Sequence, residues 1–324
     1  MEKLDLCNLQ TLPWEGCNLV DVLFNSEESL LEKLKYEDVS TSKILEVFVK
    51  RDDLIDPLVS GNKWRKLKYN IEQAKHKSGE GIITFGGAHS NHLVATAKAC
   101  NKAGLKSVGF VRGEELTADS NETLKDCASF GMELVFISRE EYKNKEDWDY
   151  LNQLKHGFPA FHIVPEGGAN FYGVVGCQEI LKETANDFDH VFLCAGTGTT
   201  AAGVILSAGA HTKVHVVAAL KGDFMEAQVT KMLNSVCFDE ELVSELKSKS
   251  VFHNNTHFGG YAKTSPELIA FIADFKYQTN LPLDPIYTGK SMYALVQEWK
   301  RGGLGNGNKI LFIHTGGMQG MRSF

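Results

Sequence analysis

Eight short runs of apolar, mostly β-branched residues recur along the chain with helical patterns between them. They are ILEVFVK (44 to 50), GIITFGG (81 to 87), SVGFVRG (107 to 113), LVFIS (134 to 138), AFHIVP (160 to 165), HVFLCAG (190 to 196), VHVVAAL (214 to 220) and KILFIHTGG (309 to 317). Strands that are apolar throughout, rather than at alternate positions, are buried on both faces, which requires a parallel sheet with helices packed on either side. The pattern predicts an α/β, doubly wound fold, and 324 residues suffice for two lobes or one large domain. Several runs end in glycines that open straight into a helical pattern, at 86 to 91, 167 to 170 and 196 to 200. Ligands of open α/β sheets bind in the crevice beyond the strands' carboxyl ends, so these turns are predicted to be three pieces of one site. The polar stretch 139 to 156, REEYKNKEDWDYLNQLKH, reads as a solvated helix with its connections and as a handover from one lobe to the next.

Bulk properties narrow the partners. A hydrophobic content of 43% supplies a core, while a net charge of -7 provides no electrostatic footprint for nucleic acid. Cys7, Cys17, Cys100, Cys127, Cys177, Cys194 and Cys237 are odd in number, lack CxxC spacing and lie in apolar segments, as reduced cytosolic thiols do. The opening MEKLDLCNLQTLPWEG has no apolar targeting core. No stretch approaches the ~18 apolar residues of a membrane span. A cytoplasmic chain acting on small molecules is expected, with neither nucleic acid nor membrane as partner.

The run HVFLCAG enters Gly196, Thr197, Gly198, Thr199 and Thr200, then a helix start rich in small residues. Glycines admit close backbone approach, a helix N-terminus aims free N–H groups outward and the hydroxyls add donors, which together form a cradle for a phosphate monoester. The alternative is a tight turn with threonine caps. The same residues satisfy G-x-G-x-x-A, the pattern of a nicotinamide dehydrogenase, but the next strand ends Ala218, Ala219, Leu220, without the acidic residue that would hold a ribose. A P-loop is excluded because no Gly-Lys-Ser/Thr follows.

FGGAHSNH repeats that grammar: Gly86 and Gly87 precede Ser90 and Asn91 at a helix start suited to a carboxylate, although either residue could serve only as an N-cap. His89 and His92 have no third ligand nearby, so no metal is expected, and Ser90 is not in a G-x-S-x-G elbow. SGNKWRKLKYN (60 to 70) places Lys63 where a helix should begin, beside Arg65, Lys66 and Lys68. Helix N-termini disfavour cations, so a lysine there, facing a crevice, should have its ammonium destabilised and its pKa lowered. That is the condition for a nucleophilic amine that forms a Schiff base. A phosphate cradle, a carboxylate-sized helix terminus and an activated lysine describe pyridoxal phosphate and an amino acid.

These residues resemble the pyridoxal-phosphate enzymes of the tryptophan-synthase-β fold (fold type II), within them the D-cysteine desulfhydrase and 1-aminocyclopropane-1-carboxylate (ACC) deaminase group. The matching stretches are KRDDL (50 to 54), SGNKWRKL (60 to 67), TFGGAHSNH (84 to 92), VPEGGAN (164 to 170), AGTGTTAAG (195 to 203), GGYAK (259 to 263), DPIYTGKSM (284 to 292) and HTGG (314 to 317). The resemblance implies that Lys63 holds the cofactor, that Asn91 bonds its ring hydroxyl and that Gly196 to Thr200 take its phosphate. It implies that Ser90, Asn91 and His92 receive the substrate carboxylate, that Tyr261 and Tyr287 are active-site tyrosines, and that Thr315 and Gly316 border the substrate. Deaminases of the group carry Glu and Leu where this chain has Thr288 and Thr315. Both departures resemble the desulfhydrases, and Thr288 is expected to offer the pyridine nitrogen a neutral hydroxyl. The implied activity is α,β-elimination of D-cysteine, with ACC deamination and a non-catalytic cofactor-binding protein as the alternatives. A homodimer is also implied, with a smaller lobe at 66 to 168 and a larger one formed by 1 to 65 and 169 to 324.

Overall fold

The computed structural model describes residues 30–56, 59, 61–76, 79–184 and 187–317. The opening segment in which no targeting core was expected, together with Cys7 and Cys17, lies outside the described residues, as does the first part of the 1 to 65 segment. Two sheets organise the chain. The larger has the order β1-β2-β10-β7-β8-β9, formed by Leu31–Asp38, Lys43–Lys50, Ile310–Ile313, His190–Ala195, Lys213–Ala218 and Ser250–His253. The smaller has the order β5-β4-β3-β6, formed by Met132–Ile137, Lys106–Arg112, Gly81–Gly87 and Phe161–Val164. Every pairing is parallel except β1 with β2. All eight predicted runs are strands, and the α/β, mostly parallel architecture is as expected.

Two strands escape the apolar pattern. β1 (LEKLKYED) is an edge strand, and Lys33 and Lys35 reach across it to Glu46 of β2 at 2.7 and 3.2 Å. Charged residues blunt an exposed edge and also mask its strand character. β9 has only four residues. A correction concerns 139 to 156: this stretch forms the short 3-10 helix Glu141–Glu146 and most of helix Trp148–Gly157, which connect β5 to β6 within the smaller sheet. It therefore does not link one sheet to the other. Its polarity reflects a helix with no buried residue, not a linker.

Side chains alternate across each central strand, so both faces are packed. Val191, Leu193, Val214 and Val216 face one core of the larger sheet, whereas Phe192 and Val217 face the other. In the smaller sheet, Ile82 packs with Trp64, Leu67 and Ile71, and Ile83 and Phe85 pack on the opposite side. Helix Asn62–His76 crosses helix Phe171–Lys182 so closely that a Cβ on Gly176 would lie 1.9 Å from the Arg65 carbonyl oxygen. Among the described residues no helix is long and apolar enough to cross a membrane.

Neighbouring strands β7, β8 and β9 carry a chain of imidazoles. His190 Nδ1 lies 3.0 Å from His215 Nε2, and His215 Nδ1 lies 3.0 Å from His253 Nε2. His215 stacks on Phe192 with centroids 4.0 Å apart. Burial, then the neighbouring histidines, lowers the His215 pKa to about 3.

Replacing Gly176 by Ala should force the two helices apart and cost about 3 kcal/mol. Gly157→Ala, at a site with nothing within 4 Å, should stay within about 0.5 kcal/mol; urea unfolding midpoints measure both. His215 is neutral when folded but protonates near its ordinary pKa when unfolded, so stability falls as pH drops through that value. Between pH 7 and 5 this contribution is roughly 2 kcal/mol, by which His215→Gln should lessen the acid loss. Equal pH dependence of the two proteins would remove His215 as its source.

Candidate active site

The carboxyl ends of the two sheets border a cavity of about 1020 Å³. Its wall is assembled from the turns that follow β3, β4, β5, β6, β7 and β10, the start of helix Asn62–His76, and the tyrosines Tyr142, Tyr261 and Tyr287.

Helix Asn62–His76 explains the cluster of cations because its residues fall into three stripes of helical spacing. Trp64, Leu67, Ile71 and Ala74 face the apolar core. Arg65 and Lys68 face the acidic side of helix Phe171–Lys182 and the residue after it: Arg65 grips Asp52 (3.0 and 3.2 Å) and Glu183, and Lys68 meets Glu179 at 3.1 Å. Lys63 and Lys66, one turn apart, line the cavity. Lys63 Nζ donates to Asn62 Oδ1 at 3.0 Å, and Asn62 Nδ2 donates to Thr200 Oγ1 at 3.0 Å. Burial, then the Lys66 charge, lowers the Lys63 pKa to about 7. Lys66 is also buried, and burial depresses its pKa; its Nζ donates to Gly167 O at 3.0 Å and lies 3.4 Å from Thr197 Oγ1. Neither lysine has a carboxylate hydrogen-bond partner among the described residues. Two amines in one cavity, Lys66 buried and Lys63 partly so, call for an anionic ligand.

The threonine turn stands opposite. Gly196, Thr197, Gly198 and Thr200 line the cavity. Gly198 takes φ +77, and a Cβ there would meet the backbone of Gln228 and Val229 at 3.0 to 3.2 Å, so glycine is required on both counts. Helix Thr199–Ser207 begins at this turn without a side-chain cap, which leaves its first N–H groups available to a ligand. Thr199 is turned inward, fully buried, with its hydroxyl 3.0 Å from Thr197 Oγ1 and 3.7 Å from Met232 Sδ. Its side chain therefore does not line the cavity.

On the turn after β3, Ser90, Asn91 and His92 line the cavity together with His89. Ser90 is also the N-cap of helix Asn91–Ala103, accepting the Leu93 N–H at 3.4 Å, so the capping and site readings coincide. His92 is fixed as one tautomer. The Thr84 hydroxyl donates to Val164 O at 2.8 Å, so the 2.9 Å contact with His92 must be the imidazole Nε2–H donating to Thr84. Its Nδ1 is a buried acceptor without a partner. Burial and the two lysines push the His92 pKa far down, keeping the ring neutral. No three His, Cys, Asp or Glu side chains among the described residues are grouped to share a metal.

Tyr261 and Tyr287 meet edge to face at 6.2 Å between centroids, with the Tyr287 ring over Gly196. Burial and Tyr261 raise the Tyr287 pKa, so its phenol is a proton donor at neutral pH. Thr315 and Gly316 line the cavity, and Thr315 O accepts the Asn62 N–H at 3.2 Å. Thr288 departs from expectation. It is fully buried and does not line the cavity; its hydroxyl donates to Asp284 Oδ2 at 2.6 Å and accepts the Asp284 N–H at 2.9 Å. Asp284 also accepts the N–H groups of Ile286, Tyr287 and Thr288, and so caps helix Thr288–Lys300. The hydroxyl expected opposite a pyridine nitrogen is thus committed to the helix cap.

Sequence reasoning left Asn62, Lys66 and Asp284 without roles. Lys66 was open to discovery, since it stands three residues after Lys63 on a helix. The link from Asn62 to Thr200 spans 138 residues and leaves no local trace. The donor set fits pyridoxal phosphate: the threonine turn with Lys66 suits the phosphate, Lys63 the aldehyde, and Asn91 a ring hydroxyl.

Comparison with known proteins agrees. A family model described as pyridoxal-phosphate dependent enzyme matches residues 33–316. A putative ACC deaminase of Pyrococcus horikoshii is 33% identical over 85% of each chain. A bifunctional D-cysteine desulfhydrase/ACC deaminase, mitochondrial, of Arabidopsis thaliana is 32% identical over 85% of this chain and 73% of its own. The crystal structure of an ACC deaminase homologue superposes with a TM-score of 0.74 at 25% identity, covering 93% of this chain and 95% of that one.

In the cofactor-free protein, an amine-selective acylating reagent should modify Lys63 with a midpoint close to pH 7. A free lysine peptide, whose amine titrates at about 10.4, is the reference. Peptide mass spectrometry reads both, and a Lys63 midpoint above about 9 would contradict the effect of burial.

Proposed function

The chain belongs to the family of pyridoxal-phosphate-dependent enzymes, and on that premise we propose that it is a lyase that cleaves D-cysteine by α,β-elimination. One observation carries this reading: buried Lys66 and partly buried Lys63, neither with a carboxylate hydrogen-bond partner among the described residues, face a threonine-lined helix N-terminus, and the pKa of Lys63 is lowered to about 7. The balanced reaction is D-cysteine plus water giving pyruvate, ammonia and hydrogen sulfide.

Lys63 would hold the cofactor through its amine, the Gly196 to Thr200 turn and Lys66 its phosphate, and Asn91 its ring hydroxyl. When bound, pyridoxal phosphate supplies an electron sink for charge developing at the substrate α-carbon. The Ser90 and Asn91 turn takes the substrate carboxylate on free N–H groups and side-chain donors. Lys63 Nζ, uncharged in a large fraction of molecules near neutral pH, accepts the α-proton. Ser90 already shares its hydroxyl oxygen with Leu93 N–H, and Tyr287 holds its proton tightly, so both suit hydrogen-bond donation better than proton abstraction. Tyr261 and Thr315 border the substrate space; a threonine at 315, where the deaminases carry Leu, supports the desulfhydrase reading over the deaminase one. Thr288 adds no direct support, because its hydroxyl bonds Asp284.

ACC deamination is the second reading, favoured by the names of the relatives, one of which is bifunctional. We also read the protein as a cytoplasmic homodimer with lobes divided at 66 to 168. Cys100, Cys127, Cys177, Cys194 and Cys237 are buried free thiols, which supports a reducing compartment; the family resemblance supports the dimer.

Incubation with D-cysteine, L-cysteine and ACC, followed by sulfide, pyruvate and 2-oxobutanoate assays, tests the proposal. D-cysteine should yield sulfide and pyruvate, and Lys63→Ala should lower turnover by at least about 100-fold and abolish the borohydride-fixed adduct on the Lys63 peptide. Conversion of ACC to 2-oxobutanoate without sulfide from D-cysteine would establish the deaminase reading instead. Bound cofactor with no keto acid from any substrate would identify a non-catalytic protein.

A further inference from the structure

Beyond the cavity wall, one buried cation has an unusual set of partners. Lys290, in the first turn of helix Thr288–Lys300, is fully buried. Its Nζ donates to His257 O and Gly260 O at 2.8 Å each and to Ala219 O at 3.3 Å. Its hydrogen-bond partners among the described residues are all backbone carbonyls, from the end of β8 and from the loop that carries Tyr261. Carbonyl oxygens without a carboxylate are the ligands that replace the hydration shell of a monovalent cation. Three more buried oxygens have no hydrogen-bond partner among the described residues: Asn254 Oδ1 and Thr256 Oγ1, just before that loop, and Ser291 Oγ, next to Lys290 on its helix.

The loop that these carbonyls belong to does not hold its shape unaided. Phe258, Gly259, Gly260 and Ala262 all have positive φ, at 51, 93, 121 and 53°. Non-glycine residues in that region persist only where their surroundings fix them. Within this run Tyr261 lines the cavity, half-exposed, against Tyr287, which immediately precedes the helix bearing Lys290.

We propose that Lys290 is a positioning residue whose ammonium serves as a built-in monovalent cation, gathering the carbonyls of Ala219, His257 and Gly260 so that the loop holds Tyr261 over the cavity. The inference rests on the reading of that cavity as the active site. It assigns Lys290 no contact with substrate or cofactor, and it makes the wild-type protein independent of added potassium or ammonium.

Wild type, Lys290→Ala and Lys290→Met are compared in potassium, ammonium and tetramethylammonium chloride at constant ionic strength. The readouts are substrate turnover by the holoenzyme and backbone hydrogen exchange of residues 256 to 263, with and without cofactor. Wild-type turnover should be equal in the three salts. Both variants should exchange faster in that segment and lose about 100-fold in kcat, the effect of a small misplacement at a reacting centre. Ammonium or potassium, but not tetramethylammonium, should restore part of the turnover and protection to Lys290→Ala, whose cavity is open, and none to Lys290→Met, whose stem fills it. Wild-type turnover that requires potassium, unchanged exchange in both variants, or equal restoration by tetramethylammonium would overturn the proposal. If these variants do not fold, Lys290→Arg, which keeps the charge in a wider head, should fold and show raised exchange confined to the loop; unchanged exchange there would likewise overturn it. The exchange measurement stands even if D-cysteine proves not to be the substrate, so the two readings fail separately.

Discussion

The grip of Arg65 on Asp52 and Glu183 sets the geometry on which the site depends. This guanidinium is buried and forked between two carboxylates, with Lys50 adding a 2.7 Å contact to Glu183. Breaking a buried pair of this kind leaves an uncompensated charge, at a cost of about 3–5 kcal/mol. A helix held by one stripe of residues cannot rotate, so the neighbouring stripe is fixed as well. Lys63 and Lys66 face the cavity because Arg65 and Lys68 are held elsewhere. The cluster of cations that looked wrong for a helix start is a division of labour among faces.

The electrostatics of the cavity follow from that arrangement. Among the described residues neither amine has a carboxylate hydrogen-bond partner, and the Lys66 charge adds to the cost of charging Lys63. The site consequently balances an unprotonated amine near neutral pH against a position that favours an anion beside the threonine turn. His92 remains neutral beside them, with its Nε2 proton given to Thr84. Tyr287 keeps its proton for related reasons, being buried and close to Tyr261. Sequence-distant groups thus share one tendency: burial works against the charged forms of Lys63, Lys66, His92 and Tyr287 alike.

What could be read from the sequence divides along physical lines. Central strands were legible because burial on both faces leaves continuous apolar runs, and glycine turns were legible because few other residues tolerate them. β1 was hidden by the charges that protect its edge, and β9, at the opposite edge, by having no buried residue to leave an apolar run. Lys63 announced itself by breaking a local helix rule, and Ser90 and the 196 turn by standing where a glycine turn opens into a helix. Thr288 misled because a motif gives a position without a direction, and Asp284, four residues earlier, decides where its hydroxyl points. Asn62 and Lys290 act through partners far along the chain, and such contacts exist only after folding.

The order of strands also has a consequence for biosynthesis. β10 lies between β2 and β7, in the interior of the larger sheet, yet among the described residues it is the last strand along the chain. While the ribosome is still translating, the two halves of that sheet are separated by a gap, with apolar edges unsealed on either side. Folding must wait for a distant insertion, which is slow for parallel pairings and exposes sticky intermediates. The cavity, whose wall includes the turn after β10, can therefore form only once that strand has been inserted between its two neighbours.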